Sequence, residues 1–440
     1  MQIFRKMKNT PLNPLFLEGK LNEIFNFFVP SPWGRLGWGF KKNTSLFPLF
    51  LVGKFGWSSL NRNMSFKSLF LLMSMLFLLN SCDSEKIDFE SKVDISEVMS
   101  VNDSSFKKAI EPIDFSFPQD HFAHNDYKIE WWYFTGNLTS KEGSKFGYQF
   151  TIFRNGISTD TNKISSFDSK NFYLAHFAIS DISNNNFYFS EKTSREAVEI
   201  AGSSMEKSVI FIENWQIKII SDNNKQFPTF EISSEDSTKS INFQLIPNKN
   251  IVLHGDKGLS QKSNQAGNAS YYYSFTNLNT KGNIRIKNKN YEVSGKSWFD
   301  REWSTSALNE NQSGWDWFSL QLNDSTEIMC FRLRDKNNNT DFAKGTFVDK
   351  NGNVSNFKAN DFSIKPIEFY KSDSGKKYPS KWLFEYKYKE KNISLEIKTQ
   401  IPEQELRLFT DYYEGSVSFT GKNGQNSVSG YGYVELTGYK

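Results

Sequence analysis

The run Trp298-Phe299-Asp300-Arg301-Glu302-Trp303 places two carboxylates one residue apart between large aromatic side chains. A strand turns alternate side chains to opposite faces, so Trp298, Asp300 and Glu302 would share one face, and Phe299, Arg301 and Trp303 the other. The two acidic residues would then stand roughly 6.5–7 Å apart at Cα. Desolvation beside Trp298 raises at least one of the two pKa values, and the like charge adds to it. That combination is a candidate general acid/base pair. A plainer role for Asp300, Arg301 and Glu302 is a salt-bridged clasp between domains. Glu130, ahead of Trp131-Trp132-Tyr133, and Asp316, between Trp315 and Trp317, are further carboxylates in apolar surroundings. Each is costly there unless paired or functional.

Four histidines, His121, His124, His176 and His254, complete the titratable set. His121 and His124 with His176 and a carboxylate could hold a metal. The spacing is weakly specific, however, and His176 could equally bond Asp120 or Asp126, so no metal is expected. The chain has no glycine-rich phosphate loop, no Gly-x-Ser-x-Gly elbow and no paired-cysteine motif, so no cofactor is expected and serine-hydrolase chemistry has no support.

The elements that would carry these residues are strands. From about residue 116, short aromatic or β-branched runs alternate with Asn/Gly/Lys/Asp turns, as in Asn186–Ser190, Val209–Ile212, Trp215–Ile220, Ile284–Ile286 and Leu383–Tyr388. No long 3.6-residue apolar period appears, and this pattern predicts an all-β sandwich or barrel. The pattern also repeats. Glu130–Arg154 resembles Gly314–Arg334, both opening on Trp-x-aromatic-Phe-Thr/Ser and closing on Arg. Gly282–Glu302 resembles Gly415–Thr437, both carrying Val-Ser-Gly before an aromatic strand. Two related β domains follow, at 116–307 and 308–440, arising by internal duplication.

The repeat sorts candidates: positions shared by both units serve the barrel, and positions found in one serve a site. Trp298 matches Tyr433, Asp300 matches Glu435, and Glu302 matches Thr437. Asp300 and Glu435 therefore read as structural, whereas Arg301 and Glu302 stand out. Trp131, Tyr133 and Thr135 match Trp315, Trp317 and Ser319, a face expected to form barrel core. Arg154 matches Arg334, each expected to stack on a Trp at a barrel's closed end. The unmatched carboxylates Glu302, Glu130 and Asp316 are the catalytic candidates. Trp298, Asp300, Arg301, Trp132, His124 and Tyr272 are the ligand-binding candidates, and the Gly255–Lys262 segment with Tyr271–Tyr273 could rim a pocket.

Residues 1–63 hold 9 Lys/Arg and 2 Asp/Glu, while the other 377 hold 44 and 47. The body of the chain therefore lacks the basic excess of a nucleic-acid binder. Leu69–Leu79 is too short to span a bilayer and suits a signal-peptide core. Lys67 precedes it, and Leu79-Asn80-Ser81-Cys82 follows as a lipobox-like end with an unusual Asn80. Residues 64–82 are thus expected to be a lipoprotein signal peptide lipidated at Cys82, with 1–63 an over-extended start, the alternative being a genuine N-terminal extension, and 83–115 a flexible tether. A lipid-anchored protein of the bacterial cell envelope is implied, held to the membrane by its acyl chains.

Asp120-His121-Phe122-Ala123-His124 through Glu130-Trp131-Trp132-Tyr133, together with Leu174-Ala175-His176, Gly255–Lys262, Ala269–Ser274, Trp298–Trp303, Gly314–Phe318 and Tyr431–Tyr439, resembles the AttH family, which is related to carotenoid 1,2-hydratase. The resemblance spans about 116–440 and implies two lipocalin-like antiparallel β-barrels in tandem. His254 departs from the family pattern, where Gln is usual, and is not counted as functional. The expected function is binding of a small apolar ligand, lipid or isoprenoid-like, in or between the barrels. The alternative is a cofactor-independent acid/base enzyme of hydratase type using buried carboxylates.

Overall fold

Strands account for nearly all regular structure in the computed structural model, which describes residues 104–159, 169–221, 227–306, 308–388 and 391–440. The expected signal-peptide core, the expected lipobox with Cys82 and most of the expected tether lie outside these residues. Every described strand is antiparallel to its neighbours, and together they form two sheets curled into lipocalin-like barrels.

The first sheet comprises β1 (Ile129–Ser140), β2 (Lys145–Gly156), β3 (Asn171–Asp181), β4 (Asn186–Arg195), β5 (Ala201–Ser204), β6 (Val209–Ile212), β7 (Trp215–Ile220), β8 (Thr229–Glu235), β9 (Lys239–Pro247), β10 (Val252–Leu253), β11 (Leu259–Gln261), β12 (Ala269–Ile286) and β13 (Lys289–Ser304). Its order is β4-β3-β2-β1-β13-β12-β9-β8-β7-β6-β5, with β10 and β11 on β12. The second comprises β14 (Gln312–Leu322), β15 (Glu327–Asp335), β16 (Thr340–Val348), β17 (Val354–Lys358), β18 (Phe362–Lys371), β19 (Lys377–Tyr388), β20 (Lys391–Thr399), β21 (Glu405–Arg407), β22 (Asp411–Asn423) and β23 (Asn426–Leu436). Its order is β17-β16-β15-β14-β23-β22-β20-β19-β18, with β21 on β22.

The first barrel is closed by side chains rather than by a ladder. Lys192 of β4 bonds Glu213 and Asn214 in the β6–β7 turn and lies 5.4 Å from the Trp215 ring centroid. In the second barrel Phe357 of β17 meets Phe362 of β18 edge-on, with centroids 4.9 Å apart. These contacts cover strand edges that would otherwise present unpaired backbone groups.

Strand register establishes the duplication residue by residue. Tyr133 stands opposite Asp300 in the first barrel, and Trp317 opposite Glu435 in the second. The closing hairpin needs one correction. Gly282 pairs with Val293, but Val428 pairs with Gly421, so Gly421 rather than Gly415 is the equivalent glycine. Both need glycine for the same reason: a Cβ would sit 2.0 Å from the carbonyl oxygen of Asn242 or of Ser394 on the adjoining strand. The second hairpin is shorter by two residues per strand, which hid the match.

Two further expectations change. The tether does not extend to residue 115: Phe106 and Ala109 are buried on the first barrel, and Phe115 packs edge-on against Trp303 at 5.5 Å. Apolar side chains at those positions favour docking over solvation. The face carrying Trp131 and Tyr133 is not barrel core either. Trp132, Phe134 and Phe299 fill the first barrel, whereas Tyr133, Trp298, Trp317 and Tyr433 form a separate aromatic cluster with Trp131 and Trp315 at its border. That cluster lies where β1 and β13 face β14 and β23.

Candidate active site

Between the two barrels lies a cavity of about 70 Å³ lined by Trp131, Tyr133, Phe153, Lys262, Tyr272, Asp300, Glu302, Trp315, Trp317, Phe331, Leu333 and Glu435. Its walls are aromatic, Tyr133 and Tyr272 included, and its carboxyl and amino groups are those of Asp300, Glu302, Glu435 and Lys262. Alternation along β13 aims Asp300 and Glu302 into it, as the spacing implied, while Phe299 and Trp303 point into the first barrel. The same alternation along β23 aims Glu435 in from the other side.

Asp300 is the most elaborately held of these groups. Its Oδ1 bonds Trp298 Nε1 at 2.6 Å and Ser274 Oγ, and its Oδ2 accepts from Tyr272 Oη at 2.9 Å. Trp317 Nε1 in turn donates to Tyr272 Oη at 3.1 Å. Burial pushes the Asp300 carboxyl up to about 7, with Glu302 adding to the rise, although the Ser274, Trp298 and Tyr272 bonds pull the other way. Burial likewise pushes Glu435 up to about 8; nearby Glu302 and Asp300 add to this, and a bond from Trp315 opposes it. Opposite Glu435 on β22 stands Glu414, held well above the carboxylate range by burial and by Glu435, with Tyr133 Oη donating to it at 2.8 Å.

Glu302 is different, because it has a cation. Lys262 Nζ lies 2.6 Å from its Oε1, and Ser270 Oγ also bonds it. Lys262 itself sits 4.6 Å from the Phe331 ring centroid and 5.3 Å from that of Tyr272. The site therefore combines neutralised acids with one ion-paired carboxylate in an aromatic enclosure. That division of labour suits acid/base chemistry.

Of the nine residues singled out in the sequence, Asp300, Glu302 and Tyr272 line the cavity, and Trp298 packs behind Asp300. The others are elsewhere. Glu130 is fully buried and bonded by both Arg154 and Arg301. Burial alone would raise its pKa, but the two guanidiniums and His124 hold it well below the usual range. Asp316 is bonded by Arg332 at 2.6 Å, by Arg334 at 2.9 Å and by Tyr439 Oη at 3.0 Å. Both candidates are thus ion-paired plugs at barrel ends, because Arg154 and Arg334, the residues shared by the repeats, claim them. Arg301 lies 4.1 Å from the Trp132 ring centroid, and Arg334 3.9 Å from that of Tyr439. Each such cation–π contact contributes about 0.5–2 kcal/mol. The expected stacking of the shared arginines on Trp is corrected in both barrels: the arginine on Trp132 is Arg301, not Arg154, and Arg334 lies on a Tyr, not a Trp. His124 stacks on Trp303 at 3.8 Å and bonds Asp120 and Arg301, away from the cavity.

The remaining histidines do not converge. His121 Nδ1 bonds Tyr273 Oη at 2.6 Å, and His176 Nδ1 bonds Tyr412 Oη at 2.6 Å. Among the described residues no group of three or more His, Cys, Asp or Glu side chains is arranged to hold a metal. Nine cavity-lining residues are absent from the sequence candidates, among them Lys262, Trp131, Trp315, Trp317 and Glu435. The signal for Lys262 is its place at the end of the Gly255–Lys262 segment, which the sequence offers as a pocket rim.

Comparison with known proteins agrees with this architecture. Residues 108–439 match the AttH-like family. A crystal structure of an AttH from Nitrosomonas europaea superposes with a TM-score of 0.68 at 30% identity, covering 76% of this chain and 100% of that one. Kievitone hydratase of Fusarium solani subsp. phaseoli is 26% identical over 181 residues, 38% of this chain. That match spans about half, 49%, of the relative's length. The crystal structure of kievitone hydratase from Nectria haematococca shares the fold, with a TM-score of 0.58 at 17% identity over 77% of this chain and 97% of that one.

Proposed function

Because the chain belongs to the AttH-like family, with a kievitone hydratase among its relatives, we propose that the cavity between its barrels adds water across a branched carbon–carbon double bond without a cofactor. The observation that carries this reading is Asp300: a desolvated carboxyl that keeps its proton near neutrality, with Trp298 Nε1 and Tyr272 Oη donating to it and so placed to receive the anion. A carbon–carbon double bond is a weak base, so its protonation needs a strong, correctly placed acid whose conjugate base is stabilised where it forms. Asp300 meets that condition better than Glu435, whose anion has one hydrogen bond, from Trp315, besides the positive charge of Lys262.

The steps balance. The Asp300 proton adds to the less substituted alkene carbon, the π pair becomes the new C–H bond, and Asp300 is left as carboxylate. The tertiary cation stands between Trp131, Trp315, Trp317 and Phe331, whose faces attract positive charge. Water captures the cation, and Glu302, ionised beside Lys262, takes the proton released. Returning that proton to Asp300 regenerates the site, so alkene and water give a tertiary alcohol. Pockets that enclose a drug-sized ligand measure about 300–1,000 Å³, so a cavity of about 70 Å³ admits the reacting end of a substrate. The remainder would leave between Trp131 and Trp315, both only half-buried.

Incubating the protein with kievitone and with other branched alkenes on aromatic or isoprenoid bodies tests the proposal. A product heavier by one water, formed by wild type and lost in Asp300→Asn, supports it. Retention of the alkene in the cavity without any product would instead favour a binding role for an apolar ligand, which the aromatic walls also suit. We further propose that Cys82 carries a lipid anchor holding this body at the cell envelope.

A further inference from the structure

A buried hydrogen-bond chain runs from Asp300 across the barrel interface to the surface. Ser274 Oγ bonds Asp300 Oδ1, His254 Nε2 lies 2.6 Å from Ser274 Oγ, and His254 Nδ1 lies 2.9 Å from Thr346 Oγ1. Thr346 Oγ1 then bonds Asn356 Oδ1 at 3.0 Å. His254 is 0% exposed and Thr346 1% exposed, whereas Asn356 reaches solvent. The far end is oriented, because Asn356 Nδ2 donates to the Gly255 carbonyl at 2.6 Å and leaves its oxygen facing Thr346.

We propose that His254, through Ser274, is the positioning residue that keeps the proton on Asp300, because this chain has one consistent direction of donation. Each hydroxyl has one hydrogen and a neutral imidazole has one N–H. With the Asn356 oxygen facing Thr346, Thr346 donates to it and accepts from His254 Nδ1–H. Nε2 is then an acceptor, Ser274 donates to it, and Ser274 can only accept from Asp300. The Asp300 O–H therefore completes the chain, while Trp298 and Tyr272 still donate to the carboxyl. An ionised Asp300 would require Ser274 to reverse and His254 to exchange tautomers, leaving Thr346 to face either Nδ1 or the Asn356 oxygen without a hydrogen between them. Burial and Lys262 keep His254 neutral, with its pKa near 3. The other ionisable groups around Asp300 are Glu302 on its own strand, Tyr272 on β12, Tyr133 across on β1, Lys262 after β11 and Glu435 on β23. All of them are left in place by the variants below.

The inference rests on the proposed acid role of Asp300, and its test does not need turnover. In the full chain labelled with carboxyl-¹³C aspartate, the Asp300 resonance, identified by its loss in Asp300→Asn, is titrated in four proteins. Thr346→Val removes the acceptor that selects Nδ1–H, so the Asp300 midpoint falls by about one pH unit or more. Asn356→Ala, at an exposed position, lowers it in the same direction. His254→Gln, whose amide can accept from Ser274 and donate to Thr346, keeps it. Where the alkene is turned over, the alkaline limb of the pH–rate profile, along which Asp300 loses its proton, moves with the midpoint. An unchanged midpoint in Thr346→Val and Asn356→Ala overturns the proposal, as does a fall in His254→Gln equal to that in Thr346→Val. Midpoints that move as expected in a protein that hydrates no alkene would leave this inference standing and defeat the hydratase reading.

Discussion

Replacing Asp300 by Asn should change how stability depends on pH. Burial raises the Asp300 carboxyl from 3.8 to about 7 in the folded chain. At 1.36 kcal/mol per pH unit, that difference is worth roughly 4 kcal/mol. The sign follows from linkage: the folded state holds the proton more tightly, so its advantage is complete below the unfolded value of 3.8 and is lost as pH rises through about 7. Asn cannot ionise and escapes this loss, although it sacrifices the Trp298 bond at every pH, at a cost of about 1 kcal/mol. Asp300→Asn should thus be slightly less stable than wild type at pH 4 and more stable at pH 8. The relative change is up to roughly 8 °C in melting temperature, at roughly 2 °C per kcal/mol for a chain this long. Differential scanning calorimetry of both proteins at closely spaced pH values reads it directly. An offset that stays constant from pH 4 to 9 would refute the assignment, since it would mean that Asp300 is already ionised at the acid end.

Other consequences are equally concrete. Glu302→Gln removes the proposed base and should lower turnover by about 10²–10⁴-fold while ligand is still retained; unchanged turnover would exclude Glu302 from the chemistry. Glu130→Gln strips the carboxylate from Arg154 and Arg301 and should cost about 3–5 kcal/mol by denaturant unfolding, with the Asp300 midpoint unmoved. Trp317→Ala removes both a cavity wall and the donor to Tyr272, so a fluorescent apolar probe held by wild type should be lost from the variant. Cys82→Ser should move the protein from the membrane fraction to the soluble fraction on cell fractionation, and continued membrane retention would argue against lipidation.

Much of the fold was legible because strand signals are local. Val209–Ile212 and Trp215–Ile220, read as short aromatic or β-branched runs between turns, are β6 and β7 to the residue. The orientation of β1 was not legible. Trp131 and Tyr133 face one way and Trp132 and Phe134 the other, so both faces are apolar and alternation cannot say which enters the barrel. The repeat filter singles out Glu302, which lines the cavity, and passes over Glu435, Trp131 and Trp315, which line it too, for a geometric reason. A duplication packs its two copies face to face, so positions shared by both, Asp300 with Glu435 and Trp131 with Trp315, converge on one cavity instead of serving two separate cores. Glu130 and Asp316 seemed unmatched because they sit two positions apart in the repeat alignment, yet each is claimed by the matched arginine of its own barrel. Pairings between residues far apart in the chain, such as Tyr133 with Glu414, 281 positions on, or His254 with Thr346, 92 positions on, leave no trace in local pattern.

The most direct measurement is hydration in heavy water. With a branched alkene as substrate, wild type should yield a tertiary alcohol bearing one deuterium on the carbon next to the hydroxylated centre, seen by ¹³C NMR, and folded Asp300→Asn should yield none. Formation of the same labelled alcohol at an unchanged rate by Asp300→Asn would contradict the account.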